Sequence, residues 1–210
     1  MWVSQSLIKP LEANTPNRRL THNSAMARGL VRYQTSGDTH FLTFSCFRRQ
    51  PQLGAPIACN LFERSLEAMR LRYDFPVFGY VDVPEHVHLL VREPTKCLLS
   101  KAVQALKLSV AVQREQRRFW HARYYDLNVF TTQKHIEKLK YIHRNPVTRG
   151  LVEKPEEWPW SSYNHYLTGE AGTVAIESWW TGTRRASGLA GTHISEARCG
   201  APSLLFNNQK

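Results

Sequence analysis

Two runs of strand-forming residues, Val77 to Val83 and His86 to Val91, are separated only by Pro84-Glu85. A connection that short joins antiparallel neighbours, so the chain must contain a β-hairpin here. Side chains alternate across a strand, so His86 and His88 leave one face together while Val87, Leu89 and Val91 leave the other. The apolar face needs a core, and the opposite face must accommodate two imidazoles. Two imidazoles at this spacing can grip one divalent metal from adjacent positions. The plainer alternative is one packed and one solvated histidine. A lone His-x-His is a short pattern, and a metal site requires ligands from elsewhere in the chain.

The flanking sequence supplies the rest of a small sheet. His40 to Phe47 is dense in aromatic and apolar residues, as a central strand is, and Arg48, Arg49 and Pro51 end it. Ile57 to Tyr73 has a helical period, with Ile57, Leu61, Phe62, Leu66 and Met69 on or near one face. Pro94 closes the histidine strand. A second helix follows from Leu98 to Gln116, with Leu99, Val103, Leu106 and Val110 inward. Tyr125 to Phe130 alternates as an edge strand does. Thr131 or Thr132 then caps a third helix that runs to about Asn145, where Pro146 is expected to stop it. The order β-α-β-β-α-β with one helix appended predicts an α+β, ferredoxin-like domain: an antiparallel sheet with two helices on one face. His86 and His88 then look out of the other face. Trp158 to Tyr163 and Tyr166 are expected on the rim, and Ile176 to Trp180 in one last apolar contact. Residues 1–27 read as a flexible basic arm, 28–167 as the folded domain, and 168–210 as a mostly flexible tail.

A net charge of +11 and a pI near 9.8 favour a polyanionic partner, most often nucleic acid. No amphipathic basic helix with a clean apolar face argues for a membrane surface. No run approaches the roughly 18 apolar residues of a transmembrane helix, and no signal-peptide run opens the chain. Cys46, Cys59, Cys97 and Cys199 are scattered with no Cys-x-x-Cys, which predicts reduced thiols in the cytoplasm and argues against structural zinc. Lys101, Lys107, Arg114, Arg117 and Arg118 make the second helix and its end basic, and Arg123 follows. The adjacent Phe119-Trp120 turns that cluster towards a nucleic-acid surface.

On a wheel of about 100° per residue, Ile136, Leu139, Ile142 and His143 share one face of the third helix. Tyr141 and Asn145 fall on the opposite, polar face beside Lys134 and Lys138. As an i, i+4 pair, Tyr141 and Asn145 present a phenol and an amide to one point. Laid on the open sheet face, they would meet His86 and His88. Two imidazoles and an amide oxygen can hold Mg²⁺ or Mn²⁺ with positions left for phosphate oxygens. The Tyr141 phenol would then attack phosphorus, with the metal, Lys134 or Lys138 favouring the phenolate. Tyr124 and Tyr125 are rival nucleophiles, and His40 is a candidate auxiliary ligand. His143 is expected between helix and sheet, and His121, His135 and His165 at the surface.

His86-Val87-His88 resembles the His-hydrophobe-His motif of HUH single-strand endonucleases. Its context, Gly79-Tyr80-Val81 through Val83-Pro84-Glu85 to Leu90, resembles the single-tyrosine insertion-sequence transposases. Phe119-Trp120, Arg123-Tyr124-Tyr125-Asp126, Tyr141-Ile142, Asn145-Pro146-Val147, Gly150-Leu151-Val152 and Trp158-Pro159-Trp160-Ser161-Ser162 are similar to the REP-associated tyrosine transposases. The resemblance covers about Arg28 to Tyr166. It implies metal ligation by His86, His88 and Asn145, and Tyr141 as the nucleophile. It also implies cleavage of single-stranded DNA at hairpins of repetitive extragenic palindromes, leaving a 5′-phosphotyrosine and a free 3′-OH. By the same resemblance the protein works in the bacterial cytoplasm at the nucleoid, as a monomer or homodimer. Two other readings fit the residues: a hairpin-binding protein that has lost cleavage, and a hydrolase that uses His86, His88 and a third ligand such as His40 to activate water.

Overall fold

The computed structural model describes residues 37–116 and 118–186. Arg117 and the stretches 1–36 and 187–210 therefore lie outside the described residues, and with them the basic arm, Cys199 and the end of the tail.

Four antiparallel strands form one sheet: β1 (Thr39–Ser45), β2 (Val77–Val83), β3 (His86–Arg92) and β4 (Tyr125–Val129), in the order β2-β3-β1-β4. Helices α1 (Pro56–Tyr73) and α2 (Leu99–Gln113) connect them, and α3 (Thr132–Thr148) follows β4. This is the ferredoxin-like arrangement the sequence predicts, with the aromatic strand β1 in the interior of the sheet and β4 at an edge. Register follows the alternation. Phe44 is opposite Val87 and Thr43 opposite His88, so one sheet face is apolar and the other carries the histidines.

The apolar face packs on α1 and α2. Leu42, Phe44, Val87, Leu89 and Val91 meet Phe62 and Leu66 of α1 and Leu99, Val103, Leu106 and Val110 of α2 in one buried cluster. Burying a large apolar side chain contributes about 1.5–3 kcal/mol, so this side dominates the stability of the fold. The other face builds a smaller cluster in which Phe41, Val81, Val83 and Leu90 meet Leu139 and Ile142 of α3. Thr131 caps α3, its hydroxyl accepting from the Lys134 N–H at 3.2 Å.

The end of α3 differs from expectation. Pro146 lies inside the helix, which continues to Thr148. A proline so near the end removes one N–H and costs little else, and Pro146 is buried. The stop comes from Gly150, whose φ of +67° suits a residue without Cβ. Its N–H bonds the Val147 carbonyl at 2.9 Å, and the Leu151 N–H bonds the Pro146 carbonyl at 3.0 Å. That pair of bonds is a Schellman ending. It adds a helical turn that carries Arg149 past Asn145.

After α3 the chain closes the free edge of β2. The Ser162 N–H bonds the Tyr80 carbonyl at 3.0 Å, and the indole of Trp158 donates to the Asp82 carbonyl at 2.9 Å. A short helix α4 (Tyr163–Thr168) and α5 (Trp179–Ala186) follow, with Val174 and Ile176 buried between them. His165 is not at the surface as expected. The returning segment buries it, and its ring nitrogens meet the Glu170 carbonyl and the Ser178 hydroxyl, each at 2.8 Å.

Candidate active site

His86, His88, Tyr141 and Asn145 line one cleft of about 770 Å³ between β3, β1 and α3. Strand alternation brings the histidines there, and the helical period brings the tyrosine and the asparagine. The two imidazoles face each other, Nε2 to Nε2, at 2.9 Å. His88 stacks on Phe41 with ring centroids 5.4 Å apart, and Tyr141 stands edge-on to His88 at 5.1 Å. Tyr141 is half exposed, so its phenol is open to a large substrate. Asn145 is buried, although the wheel puts it on a polar face, because that face borders the cleft.

Each histidine is held from behind. The His88 Nδ1 lies 2.7 Å from the Thr43 hydroxyl, and the His86 Nδ1 lies 3.2 Å from Glu85 Oε1. Arg149 donates to the same Glu85 oxygen. Burial pushes the His88 imidazole down to about 3, with His86, Arg149 and Lys138 adding to it. Burial also lowers His86, although Glu85 opposes this. Both rings are therefore neutral near pH 7, as metal ligands must be.

The donor set fits a divalent cation. Asn145 Oδ1 is a buried acceptor with no hydrogen-bond partner, an arrangement that costs about 1–3 kcal/mol unless something fills it. Together with two imidazole nitrogens it makes a mixed N/O set suited to Mg²⁺ or Mn²⁺ with phosphate or water completing the shell. Among the described residues no three His, Cys, Asp or Glu side chains form a metal-holding group; beside the two histidines the cleft offers the Asn145 amide as a further oxygen donor.

Of the cations singled out in the sequence, Lys138 lines the cleft, its Nζ 6.0 Å from the Tyr141 ring centroid. Lys134 is tied to Glu137 at 2.8 Å and does not line it. Lys107 gives its ammonium to the His121 and Ala122 carbonyls at 2.7 and 3.1 Å. Trp120 donates to the Lys107 carbonyl at 3.0 Å and packs on Phe44, while Phe119 is core. Lys101, Arg114, Arg118 and Arg123 are exposed, and the two on or next to α2, Lys101 and Arg114, belong to the helix on the other sheet face. Arg49, Lys140, Arg144 and Arg149 also line the cleft. Sequence reasoning missed them, although Lys140 and Arg144 lie within one turn of Tyr141 and the wheel could have placed them.

Tyr125 lines the cleft from β4, opposite α3. His40 is not near it: it is fully buried on the α1/α2 side, its ring nitrogens 2.7 Å from Asp126 and 3.0 Å from Glu93. Strand parity puts it there, one residue out of phase with Phe41 and Thr43. His143 is buried as expected, but its partners come from the returning segment: the Ser162 hydroxyl at 2.9 Å and the rings of Tyr163 and Tyr166 at 5.5 and 5.2 Å. His121 is exposed, and His135 is partly covered by Phe78.

Residues 38–145 match the model of the IS200-like transposases, just over half of the chain. A REP-associated tyrosine transposase of Escherichia coli is 23% identical over 134 residues, covering 63% of this chain and 81% of the relative. A relative from Haemophilus influenzae is 24% identical over 135 residues, covering 57% and 75%. The solved structure of a REP-associated tyrosine transposase bound to a REP hairpin superposes with a TM-score of 0.62 at 20% identity, covering 72% of this chain and 93% of that one. The family match, residues 38–145, takes in all four strands, among them the one that carries the histidine pair. The chain belongs to the IS200-like transposase family and matches its REP-associated tyrosine transposases.

Proposed function

We propose that this protein is a metal-dependent single-stranded DNA endonuclease and strand transferase acting at REP-type hairpins in the bacterial cytoplasm, as a monomer or homodimer. The observation that carries the reading is the contact between Tyr141 and His88 within one cation-rimmed cleft. His86, His88 and Asn145 would hold Mg²⁺ or Mn²⁺. An ion held there would polarise the scissile phosphate and offset the negative charge that grows on it.

The protein's own groups do the rest. Lys138, Lys140, Arg144, Arg49 and Arg149 draw the DNA backbone along the cleft. The Tyr141 oxygen attacks phosphorus, the P–O3′ bond breaks, and the products are a 5′-phosphotyrosine and a free 3′-OH. Lys138, with its Nζ 6.0 Å from the Tyr141 ring centroid, meets the negative charge of the phosphate under attack. Attack by a 3′-OH on the phosphotyrosine reverses these bonds and joins strands. Tyr125 stacks on a base beside the scissile phosphate. Arg118, Arg123 and Lys134, all exposed, extend the DNA contact beyond the cleft, whereas Lys101 and Arg114 on the other sheet face meet at most its flanks.

The test is Tyr141→Phe with a labelled single-stranded hairpin and Mg²⁺. The covalent protein–DNA adduct should disappear while hairpin affinity stays within a few-fold. An adduct that survives the substitution moves the nucleophile to Tyr125 or Tyr124. No adduct from the wild-type protein leaves a hairpin-binding protein without cleavage.

A further inference from the structure

Glu85 and Thr43 touch the same kind of atom on neighbouring histidines, but their hydrogen-bonding abilities differ. A carboxylate only accepts, whereas a hydroxyl donates or accepts. Glu85 Oε1 lies 3.2 Å from His86 Nδ1 and also takes a hydrogen bond from Arg149. It therefore keeps the His86 proton on Nδ1 and leaves His86 Nε2 as a bare lone pair. Opposite, at 2.9 Å, is His88 Nε2. Two bare lone pairs at that distance repel, so without a cation His88 Nε2 must carry a proton and donate it to His86. The Thr43 hydroxyl, 2.7 Å from His88 Nδ1, then donates to that nitrogen.

From this asymmetry we infer that Glu85 is a positioning residue that locks the tautomer of His86, and that Thr43 is a rotor that lets His88 exchange tautomers when the cleft takes up a cation. In the exchange His88 gives its Nε2 proton to water and takes one at Nδ1 from water, so each ring keeps one proton throughout. Thr43 turns from donor to acceptor. The inference rests on the metal reading above for its second half only. Arg149 has a further consequence: it ties the end of the helix that carries Tyr141 and Asn145 to the turn that carries His86, so ligand orientation and nucleophile position share one contact.

The full-length protein, free of metal and DNA, tests this by long-range ¹H–¹⁵N NMR of the histidine rings. His86 should be the Nδ1–H tautomer and His88 the Nε2–H tautomer, and Mg²⁺ should convert His88 alone to Nδ1–H. Glu85→Gln offers His86 a group that can donate as well as accept, so its single tautomer should be lost. Its Mn²⁺ affinity, followed by EPR, should fall about ten- to a hundredfold. Thr43→Val should keep the metal-free tautomers and lose a similar factor in Mn²⁺ affinity, which covers the case in which Glu85→Gln does not fold. An Nε2–H tautomer on His86 in the wild type, or a Glu85→Gln protein with unchanged tautomers, overturns the role of Glu85. Wild-type tautomers as stated with no Mg²⁺ or Mn²⁺ binding would uphold the lock on His86, overturn the Thr43 rotor, and sink the metal reading separately.

Discussion

Leu139 of α3 sits directly over Gly79 of β2: a Cβ added to the glycine would lie 2.5 Å from Leu139 Cδ1 and 3.3 Å from the Ser162 hydroxyl. This is where the helix bearing Tyr141 and Asn145 comes down on the sheet. Gly79→Ala should therefore lift α3 and cost roughly 1–3 kcal/mol as overpacking. Two readouts check it, urea unfolding and the rate of adduct formation. Cleavage should fall by more than the loss of folded protein explains, because a displacement of about 1 Å can cost on the order of a hundredfold. A variant as stable and as active as the wild type would mean that the helix seat is not what aligns the site.

The parts of the site that follow a short period were legible in the sequence. His86 and His88 share a face because a strand repeats every two residues, and Tyr141 and Asn145 share a stripe because a helix repeats every 3.6. What failed depended on competition or on distance along the chain. Pro146 and Gly150 both signal a helix end; a proline in the last turn loses one hydrogen bond, whereas Gly150 permits two carbonyls to be satisfied beyond it. The Arg149–Glu85 contact spans 64 residues with no local signal. His40 needed the parity of its strand as well as its nearness to β3, and His165 the return of a segment with no strong period. The basic end of α2 drew attention by density of charge, yet Lys107 is spent on backbone carbonyls and Trp120 on the core.

Substitutions at the proposed metal ligands should separate fold from chemistry less cleanly than strand geometry alone suggests. His86 and His88 are buried, and His88 is stacked on Phe41 and touched by Tyr141. His88→Ala should thus lose about 1–3 kcal/mol of stability as well as cleavage. Asn145→Ala should behave differently. It removes an unpartnered buried oxygen, so the metal-free protein should be at least as stable as the wild type while Mn²⁺ affinity falls. Differential scanning calorimetry with and without Mn²⁺ distinguishes them. Asn145→Ala that destabilises the metal-free protein would show that the amide is structural. After chelation, Mg²⁺ or Mn²⁺ should restore cleavage, and a requirement for zinc would favour the water-activating hydrolase.

Stability should respond to pH through buried histidines of opposite sign, His40 on one side and His143 among those on the other. Burial disfavours the charged form of His40, but hydrogen bonds and charge from Asp126 and Glu93 outweigh it and raise its pKa above 6.5. Its contribution is fully present below the unfolded value and is lost as pH rises through the folded one. His143 is pushed down to about 3 by burial. The unfolded chain binds its proton first, so the contribution of His143 is present above about 6.5 and is lost as pH falls towards 3. Urea midpoints from pH 4 to 9 should show both limbs. His40→Gln should flatten the alkaline limb only, and His143→Gln should make the acid limb shallower without removing it, because burial also lowers His88 and His86. An unchanged alkaline limb in His40→Gln would assign that dependence to another group.

The cations that meet the DNA should be those of the cleft. Arg49, Lys138, Lys140, Arg144 and Arg149 surround the cleft, whereas Lys101 of α2 and Arg114 at its end belong to the opposite sheet face. Each phosphate neutralised on a single strand contributes about −0.7 to the slope of log affinity against log salt. Neutralising Lys140 and Arg144 together should make the slope shallower by about 1.4, two such contacts. Lys101→Ala with Arg114→Ala should change it by less, since a strand held in the cleft reaches the other face only with its flanks. Hairpins with single-stranded flanks should also bind more tightly than duplex of the same sequence, because stacking faces for Tyr125 are open only in the unpaired part. The measurement is hairpin affinity by fluorescence anisotropy across a salt series for the wild type and both double variants. A slope carried by the α2 pair and indifferent to Lys140 and Arg144 would put the DNA on the wrong side of the sheet for Tyr141, and the catalytic reading of the cleft would fall with it.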